Sequence, residues 1–144
     1  SNAWGLSDVI SEGKAMDSLP VSTFAKETSI PNLRLLPSGP GTASIAKLLY
    51  SSALDRLLIK LREEYDIILI DTPPMLTIPD ARVIARKSDG VVLVLRAGQT
   101  TKAVAHAAVE RLMDDNIQIV GTVLNDWDPK NSRRSTSHAS TKVN

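Results

Sequence analysis

YDIILIDTPPML, residues 65–76, is the stretch on which the reading of this chain turns. Ile67 to Ile70 are all aliphatic, the pattern of a strand covered on both faces in a parallel sheet rather than of one alternating between core and water. Asp71 closes the run, so it stands at the carboxyl end of that strand, where open parallel sheets hold their ligands. A carboxylate beside buried aliphatic residues loses hydration unless something compensates. A magnesium ion with its water shell is a fitting partner for such a hard oxygen. Pro73 and Pro74 bring no amide hydrogens and turn Thr72 away from helical backbone, so the chain leaves the strand extended. The plainer reading gives Asp71 a turn cap or a set of backbone hydrogen bonds, and spacing alone does not separate the two.

Working outward, the residues before this strand are helical. Leu54, Leu57, Leu58, Leu61 and Tyr65 share one face, while Asp55, Arg56, Lys60, Arg62 and Glu63 mostly take the other. After it come a short helix near 79–87, an Asp89-Gly90 turn and a second fully apolar strand, VVLVL at 91–95. Thr100 or Thr101 caps a further helix with an inner stripe of Ala105, Val109, Leu112 and Met113, and IQIVGTVLN at 117–125 is the last strand. Upstream, GLSDVISE at 5–12 makes a short helix, a connecting region is broken by Pro20 and Pro31, and LRLLP at 33–37 is a strand running into Pro-Ser-Gly-Pro-Gly. Strands alternating with helices predict an α/β fold, a parallel sheet with helices on both faces.

The totals set bounds. With 144 residues, 42% hydrophobic and 23% charged, the chain has room for one ordinary globular domain. Seventeen basic residues against sixteen acidic ones leave a formal charge of +1, which carries no signature of nucleic acid. The absence of cysteine removes disulfides and thiolate metal sites, and His106 and His138 are too far apart in sequence to suggest a zinc cluster. No apolar run reaches the ~20 residues that span a bilayer. Ser1-Asn2-Ala3 reads as the remnant of a cleaved tag, and the polar stretch 128–144, DPKNSRRSTSHASTKVN, as a disordered tail, leaving 4–127 as the folded part.

ILIDTPPML at 68–76 closely resembles the Walker B segment of the bacterial tyrosine kinases that control exopolysaccharide and capsule export, a branch of the P-loop ATPases related to the partition and septum-site ATPases. GLSDVI at 5–10, IPNLRLLPSGP at 30–40, LREEYD at 61–66, SDGVVLVLRAGQTT at 88–101 and VGTVLN at 120–125 agree with that family in order. The resemblance makes Asp71 the carboxylate that holds magnesium through water, puts Thr72 near the γ-phosphate, and makes Asp80 a second acidic position near the metal. Arg96 matches a family arginine, with a surface ion pair as the alternative. Asn125 falls where related ATPases read the adenine edge, with a strand-ending turn as the alternative. ATP and magnesium are thus the cofactors implied for a parent protein. That parent would be cytoplasmic and tied to the inner membrane, directly or through a membrane-embedded polysaccharide export or chain-length protein.

The departures are large. No G-x-x-x-x-G-K-[ST] occurs, so the amide cradle and lysine for the β- and γ-phosphates are missing, and Ser38 to Gly41 is a plain turn. The D-x-D-x-R segment that the family places just before GLSDV is missing too. The 144 residues are therefore expected to be a catalytically inactive, truncated P-loop fold. The tail offers no tyrosine for autophosphorylation, and Tyr50 and Tyr65 read as packing residues. In the family, the strand leading to the P-loop separates those matching 67–71 and 91–95. Its loss predicts either direct pairing of these two or self-association through open strand edges. A partition-type ATPase and a non-catalytic scaffold for polysaccharide export are the competing functions.

Overall fold

The computed structural model describes residues 5–11, 18–40 and 49–129. The expected disordered tail and the three leading residues lie almost wholly outside them. The chain forms two compact units, Ser1–Lys87 and Ser88–Asn144.

The first unit is organised by helix. Helix α1 spans Leu6–Ser11, a short antiparallel hairpin joins β1 (Lys26–Glu27) to β2 (Arg34–Leu35), and α2 (Ser52–Glu64) and α3 (Asp80–Ala85) follow. The stripe read from the sequence is the one buried, since Leu54, Leu57 and Leu61 line the core with Val9, Ile10, Val21 and Phe24. Helix α2 ends where Tyr65 turns extended, its N–H still donating to the Leu61 carbonyl at 2.9 Å. Tyr65, Ile68, Val83 and Ile84 pack on the same core, and Lys87 pairs with Asp55 of α2. The start of α1 is tied to the turn after β2, because Leu6 and Ser7 donate to the Pro37 and Ser38 carbonyls at 2.7 and 3.0 Å. A Cβ on Gly5 would stand 2.3 Å from the Gly39 nitrogen, so only glycine allows this approach.

The second unit is one parallel crossover: β3 (Val91–Arg96), α4 (Lys102–Asp114) and β4 (Ile119–Asn125). Leu93 faces Thr122, Val94 faces Val123 and Arg96 faces Asn125 across the ladder. Thr101 caps α4, its side chain accepting from the Val104 N–H at 3.3 Å. Asn116, at φ 54°, ends the helix: its N–H donates to Met113 and that of Ile117 to Leu112, both at 2.9 Å, while Leu112 and Ile117 are both buried. These are the paired bonds and the apolar contact of a Schellman stop.

Five expectations change. Residues 67–70 belong to no ladder, and Ile67 and Leu69 are 77% and 85% exposed. A strand is stable only with hydrogen-bonded neighbours, and among the described residues none is supplied to this segment. Direct pairing of 67–71 with 91–95 does not occur, since the only ladder partner of β3 among the described residues is β4. Strand β3 is not buried on both faces: Leu93 is buried while Val92 and Val94 are exposed. In α4 the buried residues are Ala108 and Leu112, whereas Met113 is 65% exposed. Lastly, the strand expected at 33–37 is only the short β2, paired with a β1 that lay within the supposed connecting region.

Candidate functional site

Asp71 directly follows the segment 67–70, of which Ile68 packs on the core of the first unit. Asp71, Thr72, Pro73 and Pro74 are exposed, and the chain then turns, with the N–H groups of Thr77 and Ile78 donating to the Pro74 carbonyl at 3.2 and 3.1 Å. Pro79 precedes α3, and Asp80 is the half-buried first residue of that helix. The prolines therefore do as the sequence suggests: they keep the acidic corner out of helix until Pro79 opens the next one.

The Asp71 carboxylate has no hydrogen-bond or ion-pair partner among the described residues. Nor do any three carboxylates or imidazoles come together among them. Such a group fits a magnesium ion held mainly by water, because a lone exposed carboxylate supplies one hard ligand and leaves the other positions to solvent. It does not form an all-protein cage.

Arg96 and Asn125 sit in the second unit as direct neighbours, at the carboxyl ends of β3 and β4. The Arg96 Nε donates to the Asp126 carboxylate at 3.0 Å, with both side chains more than half exposed. The Asn125 Oδ1 accepts from the Asp126 N–H at 2.9 Å, and Asp126 itself adopts φ 60°. Thr100 turns its hydroxyl back to accept from the Arg96 N–H at 2.9 Å. Both plainer alternatives for these residues, a surface ion pair and a strand-ending turn, are therefore present. The Arg96 fork and the Asn125 amide nitrogen keep donor capacity beyond these bonds.

Asp126 and Thr100 organise this rim and were not singled out by motif. The signal for Asp126 was the polar step directly after an apolar strand, since aspartate tolerates left-handed backbone and reaches a cation on the neighbouring strand. The five expected residues thus fall into two groups. Asp71, Thr72 and Asp80 belong to the first unit, Arg96 and Asn125 to the second.

An acidic corner after an apolar run, and a parallel crossover with a polar rim, fit an α/β domain, and comparison with known proteins agrees on the fold. Residues 5–127 match the AAA_31 family of AAA domains, and the chain belongs to that family. Its homologues are bacterial tyrosine kinases. Tyrosine-protein kinase wzc of Salmonella typhimurium is 32% identical over 125 residues, which make up 87% of this chain but 17% of that protein. Tyrosine-protein kinase YwqD of Bacillus subtilis is 32% identical over 124 residues, 86% of this chain and 50% of that protein. Among solved structures, the VpsO kinase domain superposes with a TM-score of 0.78 at 29% identity, covering 89% of this chain and 61% of that one. The kinase domain of the Escherichia coli tyrosine kinase ETK does so with a TM-score of 0.78 at 26% identity, covering 100% of this chain and 51% of that one. The fold is α/β, of the kind these kinase domains share. The chain spans half or less of the two curated relatives.

Proposed function

We propose that these residues are part of an ATP-dependent protein-tyrosine kinase that regulates exopolysaccharide or capsule biosynthesis and export. Kinship carries the reading: alignment with tyrosine kinases runs through 86–87% of the chain and includes the acidic corner at Asp71. In the parent protein, Asp71 positions magnesium through water and Thr72 sits by the transferred phosphate. Asp80 supports the metal side, Arg96 faces phosphate and the Asn125 amide reads adenine. When bound, magnesium neutralises charge building on the phosphoryl oxygens, and the protein's part is positioning.

The 144 residues contain no G-x-x-x-x-G-K-[ST], so the phosphate grip has to come from sequence beyond them, and the chain alone is inactive. The parent works in the cytoplasm at the inner membrane beside a membrane-embedded export or chain-length protein. Among the described residues no helix is long and apolar enough to cross a membrane. The chain also self-associates through open strand edges.

Labelled ATP separates the readings when given to the parent protein. Label on tyrosine supports the kinase, while hydrolysis without labelled protein indicates a partition-type ATPase. If neither occurs, a scaffold role replaces both.

A further inference from the structure

We propose that Tyr50 is a phosphate-accepting tyrosine of this chain. The inference rests on the tyrosine-kinase reading above and names an acceptor for it.

The 144 residues hold two tyrosines, Tyr50 and Tyr65, and packing was the expected role of both. The structure gives that role to Tyr65 alone, which packs on the core of the first unit and closes α2. Tyr50 is the opposite case, 71% exposed and without a hydrogen-bond or ion-pair partner among the described residues. The cause is local. Leu49 anchors the chain in the core, and Tyr50 follows it in a turn just before Ser51, the N-cap of α2. Tyr50 thus stands at a helix end, not at the edge of a sheet.

Accessibility decides which tyrosine reacts. The phenol oxygen has to come into line with the γ-phosphorus, which a side chain already in solvent does without disturbing the fold. Tyr65 would first have to leave the core by local unfolding. In the step itself the Tyr50 Oη attacks the γ-phosphorus of ATP. An O–P bond forms as the bond to the bridging oxygen breaks, ADP leaves with that electron pair, and the phenolic proton passes to water. Helix polarity sorts the two sites in the same way. The anionic phosphate meets the positive end of the α2 dipole when it is carried ahead of the helix, and the negative end when it is carried on Tyr65.

Labelled ATP with magnesium, given to the parent protein and followed by trypsin and mass spectrometry, tests the assignment where every segment able to cover Tyr50 is in place. Cleavage after Lys47, Arg56, Arg62 and Arg82 puts Tyr50 alone in peptide 48–56 and Tyr65 alone in 63–82. Phosphate should appear in 48–56, with fragmentation placing it on Tyr50 rather than on Ser51 or Ser52. Tyr50→Phe should lower phosphotyrosine within these 144 residues at least about tenfold, while transfer to an added tyrosine-containing polymer stays within about twofold. Tyr65→Phe should leave the label on 48–56 in place. A labelled polymer with 48–56 unlabelled, or label on 63–82 instead, overturns this assignment alone. No transfer to any tyrosine overturns it together with the kinase reading. If the Tyr50→Phe variant does not fold, the position of the label in the unsubstituted parent decides.

Discussion

Asp71 and Asp80 are held differently, and the difference predicts how their substitutions separate. Asp71 is exposed and has no partner among the described residues, so Asp71→Asn should leave stability within about 0.5 kcal/mol. In the parent protein, by contrast, the same change should reduce magnesium-dependent phosphate transfer by roughly a hundredfold or more, as loss of a group aligned on developing charge does. Thermal melts beside a labelled-ATP assay read the two effects. An unchanged transfer rate would remove Asp71 from the metal site. Arg96 allows a parallel comparison. Its bond to Asp126 joins two exposed side chains, so Asp126→Ala should cost less than about 1 kcal/mol. If Arg96 serves phosphate, Arg96→Ala should impair transfer in the parent far more than Asp126→Ala does; equal, small effects would leave only the surface pair.

At the scale of single elements, what the sequence made legible was what local pattern decides. The α2 stripe is set by helical spacing alone, and Leu54, Leu57 and Leu61 are buried as that spacing requires. The end of α4 was equally local, yet Asn116 was passed over, although an asparagine between Leu112-Met113 and Ile117 is a stop signal of known geometry. Met113 shows the limit of a periodicity reading. It lies next to Leu112 at the edge of the stripe, and the rotation of the helix against its neighbours, which spacing does not specify, leaves it outward. Leu112→Ala should therefore cost about 2–5 kcal/mol, the price of a core cavity, and Met113→Ala no more than about 0.5 kcal/mol. Denaturant unfolding of both variants measures the contrast, and equal costs would restore the original stripe. The acidic corner was legible for the same local reason, two prolines and an aspartate in sequence. The partners of Arg96 and Asn125 were not, because they depend on the β3–β4 register.

For the whole molecule, the segment 67–70 shows where sequence reading stops, since a strand exists through partners that are distant in the chain or absent from it. Its aliphatic run fits a buried strand, yet Leu69 is 85% exposed here. The tyrosine-kinase resemblance supplies the missing term, a strand between those matching 67–71 and 91–95, and so predicts opposite consequences for one substitution in two settings. In the 144-residue chain Leu69 touches little, and Leu69→Ala should change unfolding free energy by no more than about 0.5 kcal/mol. In a parent polypeptide that contributes the intervening strand, the same leucine joins a sheet interior, and its truncation should cost about 2–5 kcal/mol. Denaturant unfolding of both proteins, each with and without the substitution, makes the comparison. A large loss in the shorter chain would mean that Leu69 is already packed there. A negligible loss in the longer one would mean that the run is no interior strand, and Asp71 would then lose the rim position on which its metal role depends.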